Sequence, residues 1–474
     1  MRNWKTLLAG FWRTALVVLR WEILHAAGTI FWAGRSRAFE TTLPGFENRW
    51  VFQEIPLKNR IRIASLILSL LIPVAARAQA AFSLHPGDRV VFYGDSITDQ
   101  RLYTVYVETY ILTRFPRLNA SFVHSGWGGD RVSGGGGGPV DVRLERDVIP
   151  YRPTEVTIML GMNDGGYRAF DEATFAQFTQ GFQHIVESLQ KALPQIHFTL
   201  IQPSPFDDVT RPPTFAGGYN AVLVRYGEWV KDYARRIGAT VADLNTPVVT
   251  VLEKANAADA KLAQGILPDR VHPGKQGHLI MAEAILKAWN APATVTSVEI
   301  NAAKKRVVRA TNTQVNDLAS DANGLTWKQT DGALPMPFDP KDPVTALVMR
   351  SSDFIQALDQ EPLRVTGLKA ESYTLKIENE NIGTFTSAQL AAGINLAELA
   401  TPMSKQAMTV ETLTEKHNTI HFVRWRMIQV PLAGLSAPHL QPTMDDLNAL
   451  DGELVDEQRA AALPRTLTYE LIPQ

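Results

Sequence analysis

Between Pro86 and Pro292 the chain alternates two hydrophobic periods. The runs RVVFYG (89–94), ASFVHSG (120–126), EVTIMLG (155–161), HFTLIQP (197–203) and ATVADLN (239–245) read as buried strands. The stretches over 102–115, 173–193, 219–238 and 276–289 carry helical spacing of apolar residues. Strand and helix in strict succession predict an α/β fold, a parallel sheet covered by helices on both faces. Such sheets place their chemistry beyond the carboxyl ends of the strands. What each strand ends in is therefore informative.

The first strand ends in Gly94, Asp95 and Ser96, and the second runs into HSGWGGDRV (124–132). The third ends in GMND (161–164), and ILPDRVHPGKQGH (266–278) precedes the last helix. Alone, Gly-Asp-Ser is ordinary turn and capping chemistry. Polar clusters in four separate loops, all at the end where this fold builds sites, point instead to a shared centre.

The residue types suit attack on an acyl carbonyl, which needs an activated hydroxyl, a base, a group that orients the base, and donors for the oxyanion. Ser96, at a sharp strand-to-helix turn, is the candidate nucleophile, with Gly94 leaving room for substrate and, with Asp95, shaping the turn that exposes it. His272 is the candidate base, and Asp269, three residues earlier, is placed to fix its tautomer. The backbone N–H groups of Ser96 and Gly129 and the side-chain amide of Asn163 are candidate oxyanion donors. No metal or organic cofactor is required by this chemistry.

Other polar residues have plainer readings. Asp95 and Asp164 suit turn organisation. Trp127 serves either packing or stacking on a sugar ring. His124, His184, His197 and His278 lack metal-ligand spacing, and His417 and His421, one helical turn apart, have no third ligand nearby. The glycine run 134–138 reads as a flexible loop or a lid beside the acyl pocket.

These blocks resemble the GDSL or SGNH hydrolase superfamily: GDSIT with Ser96, GWGGD with Gly129, GMND with Asn163 and DRVH with Asp269 and His272, in the family's order over about two hundred residues. The resemblance implies a flavodoxin-like three-layer α/β/α fold and a serine esterase with a Ser96–His272–Asp269 triad. One departure is His124-Ser125 ahead of the second block, where many members have Asn.

Composition narrows the partners. Lys+Arg 47 against Asp+Glu 48 leaves no basic excess to favour nucleic acid, and the absence of cysteine removes thiolate chemistry and disulfides. Residues 57–80 have a basic start, a short apolar run and an Ala78-x-Ala80 ending, the pattern of a secretory signal peptide with Ala81 as the first mature residue. A secreted or periplasmic protein with no stable membrane insertion is expected. Residues 1–56, rich in Trp and Arg, read as an upstream extension, with Leu57 an alternative initiation point.

Residues 81–292 form the expected hydrolase domain, and residues 293–474 an accessory α+β region. There 372–385 reads as a hairpin turning at 378–381, 419–430 as β-type or short mixed periodicity, and 401–418 and 443–463 as helices, the latter capped by Thr443 or Asp445. The expected substrate is an ester, with acetylated saccharide favoured over lysophospholipid, other lipid or thioester. A glycan-binding protein with a secondary hydrolase domain is the alternative of a different class.

Overall fold

The computed structural model describes residues 81–321 and 324–474, so the expected signal peptide and upstream extension lie outside the described residues. Five strands form the central sheet: β1 Arg89–Gly94, β2 Ser121–Gly126, β3 Glu155–Met159, β4 His197–Gln202 and β5 Thr240–Asp243. Their order is β2-β1-β3-β4-β5, with every pairing parallel. β3 is buried at every position and β1 and β4 at all but the first, as a sheet covered on both faces requires. Phe178 and Phe182 of the Glu172–Ala192 helix interlock with Tyr226, Trp229 and Tyr233 of the Tyr219–Ile237 helix. The Leu102–Arg114 and Lys275–Ala288 helices form another packed pair. This is the flavodoxin-like fold the sequence suggested. Its order reverses between β1 and β3, and loops leaving those two strands diverge to open a crevice.

Beyond residue 292 lie an antiparallel five-stranded sheet and a mixed four-stranded sheet, sharing a core of Val298, Ile300, Trp327, Leu363, Leu375 and Tyr469. The expected hairpin is present as strands Ser372–Ile377 and Glu380–Thr386, with Glu378 and Asn379 at positive φ in the turn. Two readings are corrected. Residues 419–430 are helical: the Pro402–Phe422 helix runs directly into a π-helical turn, Val423–Gln429. β-branched and aromatic content suggested otherwise, but burial of Trp425 against Trp127 and Asp147 overrides local preference. The last helix begins at Leu440, with no side-chain cap at His439, so neither Thr443 nor Asp445 caps it.

The Pro402–Phe422 and Leu440–Ala462 helices pack on each other and on Leu102–Arg114. At the centre of this contact Glu108 accepts hydrogen bonds from His417 Nε2 (2.7 Å), Gln458 Nε2 (3.1 Å), Asn418 Nδ2 (3.2 Å) and His124 Nε2 (3.2 Å). His417 Nδ1 also faces Asp451 Oδ1 at 3.2 Å. With a carboxylate at each ring nitrogen, His417 is held as the imidazolium. His421 instead stacks on Trp425, so the two histidines face different surroundings. Among the described residues no helix is long and apolar enough to cross a membrane.

Candidate active site

β1 delivers Ser96 to the crevice through a tight turn. Asp95 is the N-cap of the short Ser96–Asp99 helix, its carboxylate accepting the Ile97 N–H at 3.0 Å. Burial pushes that carboxyl up to about 7. Its role is the structural one expected. Gly94 shapes the turn as expected but does not leave room for substrate: a Cβ there would meet Thr98 Oγ1 at 2.2 Å and the Met159 carbonyl oxygen at 2.7 Å. The glycine admits close packing of the turn against β3, and the space it leaves is filled by protein rather than substrate.

Ser96, His272 and Asp269 form one hydrogen-bonded line. His272 Nε2 lies 2.8 Å from Ser96 Oγ, and His272 Nδ1 lies 2.7 Å from Asp269 Oδ2. Asp269 Oδ1 also accepts the backbone N–H groups of Val271 (2.9 Å) and His272 (2.7 Å). Its partial burial acts to raise its pKa, but the bonds from His272 and Val271 outweigh this and hold the carboxyl below its ordinary value. The i,i+3 spacing read in the sequence thus closes a compact turn in which one carboxylate fixes both the backbone and the ring of its histidine.

The three candidate oxyanion donors come from three strand ends. Gly129 has φ +76°, a left-handed conformation that favours glycine, and its N–H and that of Ser96 make no hydrogen bond among the described residues. Asn163 is fixed at both ends of its amide: Nδ2 donates to the Asp130 carbonyl at 3.0 Å, and Oδ1 accepts from Tyr167 OH at 3.0 Å. One Nδ2 hydrogen is left for a ligand. Tyr167 was missed in the sequence, where only its position four residues after Asn163 was available as a signal. Asp164 accepts the Val132 N–H at 2.9 Å, tying two loops together, and burial pushes its carboxyl up to about 6.

Behind Gly129 is a buried charge cluster. Arg143 Nε donates to Asp130 Oδ2 at 2.7 Å, Nη2 donates to the Ser125 carbonyl at 2.8 Å, and Nη1 pairs with Asp147. None of these ionic side chains is exposed. Trp127 is only 8% exposed, packed edge-on against Trp425, with Arg426 over its face. Its role is packing, not sugar stacking.

The glycine run 134–138 also departs from both a lid and a free loop. It forms a two-stranded hairpin, Gly134 pairing with Pro139, packed on Trp127. A Cβ at Gly137 would lie 2.6 Å from both Trp127 Cδ2 and Arg143 Cδ. Gly137→Ala is therefore expected to destabilise the fold by about 1–3 kcal/mol and to lower turnover by displacing the Trp127 loop. Thermal melts and kcat on a simple acetyl ester check this.

A cavity of about 500 Å³ adjoins Asn163, lined by Arg131, Ser133, Asp164, Arg168, Gln177 and Phe178. A cavity of about 540 Å³ between the C-terminal sheets shares no residue with this site. Among the described residues there is no cluster of three His, Asp or Glu side chains able to hold a metal.

A hydrogen-bonded Ser-His-Asp line at the switch point of a parallel sheet, with candidate oxyanion donors at neighbouring strand ends, is an arrangement suited to a hydrolase. The family model of GDSL-like lipases and acylhydrolases matches residues 92–280. The chain carries this GDSL-like domain and is a carboxylic ester hydrolase. An acetylxylan esterase of Geobacillus stearothermophilus is 26% identical over 221 residues, 42% of this chain and 93% of that protein. The solved structure of a gut microbial diltiazem-metabolizing enzyme superposes with a TM-score of 0.73 at 26% identity, covering 84% of this chain and 100% of that one. That share exceeds the family match and reaches into the C-terminal region.

Proposed function

We propose that the protein is an exported carbohydrate O-acetylesterase in which Ser96, His272 and Asp269 are the catalytic triad. The observation that carries this reading is the continuous hydrogen-bonded line from Ser96 Oγ through both His272 nitrogens to Asp269. Ser96 Oγ attacks the acetyl carbonyl carbon while its proton passes to His272 Nε2. Asp269 holds the Nδ1–H tautomer and stabilises the imidazolium that forms. The carbonyl π electrons move to oxygen, and the resulting oxyanion is received by the N–H groups of Ser96 and Gly129 and the free Asn163 N–H. Collapse breaks the bond to the sugar oxygen, which takes the proton from His272. Water, deprotonated by the same histidine, then attacks the acetyl-Ser96 carbonyl carbon, and the Ser96 Oγ–acyl bond breaks as His272 returns the proton to Oγ, releasing acetate.

The choice of a saccharide as the alcohol rests on two observations. The cavity beside Asn163 is lined mainly by hydrogen-bonding side chains, which suits a hydroxyl-rich alcohol better than a fatty chain. The acetylxylan esterase relative acts on a substrate of this kind, as its name states. Export is supported by the basic, apolar and small-residue order of 57–80.

A substrate panel tests the reading. The expected result is highest kcat/KM on acetylated xylo-oligosaccharides, with activity on p-nitrophenyl esters falling from acetate to butyrate to octanoate. Activity rising towards octanoate would overturn the carbohydrate assignment in favour of a lipase. Diltiazem belongs in the same panel, since an enzyme that metabolizes it shares this architecture.

A further inference from the structure

The C-terminal region reaches the oxyanion side of the site through one turn of helix. Trp425, 1% exposed, donates its indole Nε1–H to Asp147 Oδ1 at 2.6 Å. Asp147 pairs with Arg143, whose Nε reaches Asp130 Oδ2 at 2.7 Å. Asp130 follows Gly129, and its carbonyl accepts the Asn163 amide at 3.0 Å. A continuous buried relay thus runs from Trp425 to two of the three oxyanion donors. The next residue supplies a second contact. Arg426 lies over Trp127, and its Nη2 is 4.0 Å from Asp99 Oδ2, which accepts the Gly128 N–H at 3.1 Å. Both contacts converge on residues 127–130, one through the charge cluster behind the loop and one across its tryptophan.

We propose that the Val423–Gln429 turn is a positioning element of the esterase, with Trp425 and Arg426 setting the Gly129 and Asn163 donors at the geometry the oxyanion needs. This rests on the triad reading above. The accessory region then acts on the chemical step, not on substrate capture. Oxyanion donors act through geometry fixed before the reaction, so a small displacement of the loop lowers turnover while leaving ground-state binding nearly intact. Trp425→Phe is the direct test, because it removes the indole N–H while keeping an aromatic ring in place. The smaller ring also leaves a cavity, and that cost is read separately as a lowered melting temperature. Asp147 Oδ1 keeps its bond from Arg146 Nε at 2.6 Å, so no carboxylate is left bare.

The expected result on p-nitrophenyl acetate is a kcat lowered about tenfold or more, with KM within about twofold of the wild type. Inhibition by a boronic acid, which mimics the tetrahedral state, should weaken in parallel with kcat/KM. A merely structural role would lower the melting temperature and leave kcat per folded enzyme and boronate affinity unchanged, and that outcome overturns the proposal. If Trp425→Phe does not fold, Arg426→Ala decides, since this side chain is partly exposed. An Arg426→Ala kcat equal to the wild type then overturns it, and a lowered kcat at constant KM supports it. Ser96→Ala separates the two levels of the argument. Full activity in that variant removes the triad reading, whereas an inactive Ser96→Ala beside wild-type turnover in both accessory variants removes the positioning proposal alone.

Discussion

Ser96→Ala is expected to lower kcat on acetyl esters by at least about ten-thousandfold, since loss of a serine nucleophile removes the covalent route altogether. What remains would come from the oxyanion donors and binding. The fold should hardly register the change. Asp95, not Ser96, caps the helix, and the lost contact is a partly exposed bond to His272. A melting temperature close to the wild type, with activity at background, is the result that assigns the chemistry to Ser96. Retained turnover would remove the whole catalytic reading.

The second large effect is on stability. Glu108→Ala leaves the His417 imidazolium buried with only Asp451 beside it, and breaking a buried ion pair in this way costs about 3–5 kcal/mol. For a cooperative unit of this size that corresponds to a fall of about 5 °C in melting temperature. The pair also predicts a pH profile. Burial alone would lower the His417 pKa, but Glu108 and Asp451 outweigh it and raise it to about 10. Its stabilising contribution is full below the unfolded value of about 6.5 and is lost as pH rises towards 10. Burial likewise works to raise the Glu108 pKa, and the two histidines overcome it and hold the carboxyl well below its usual range. That contribution is present above the unfolded value of about 4.5 and is lost in strong acid. Wild-type melting temperature should therefore decline from pH 7 to pH 10 more steeply than that of Glu108→Ala. The double variant Glu108→Leu with His417→Leu should cost less than the two single changes summed. Thermal melts across pH test both statements.

What the sequence disclosed follows from the range of its signals. Strand and helix periodicity is local, so the parallel sheet and the strand-end loops that carry the candidate residues were legible, whereas the strand order that places a switch point between β1 and β3 is non-local and was not. Asp269 and His272 share one turn, so their pairing was legible from spacing as well. That Gly94 shapes the turn was legible, but the atoms that require it, Thr98 and Met159, come partly from another strand, and the space it leaves is taken by them and not by substrate. Tyr167 carries no motif of its own, and its sequence context signals neither its positive φ nor its bond to Asn163. Arg143 and Trp425 were invisible for a plainer reason. Their partners lie in other segments, Trp425 being separated from Asp147 by 278 residues. The same distance explains why 419–430 was misread: its helix is completed by burial against a surface that local composition does not describe.

The Glu108 cluster has a further meaning for how this chain can be cut or recombined. Ending the chain at Pro292 would strip His417, Asn418 and Gln458 from a carboxylate at the middle of the Leu102–Arg114 helix, and would uncover Leu112, which packs on Val410. The catalytic half is therefore not a transplantable cassette. A chimera that keeps only the family-defining segment needs this helix face redesigned, with Glu108 made apolar or rehydrated, before its activity says anything about the residues around Ser96.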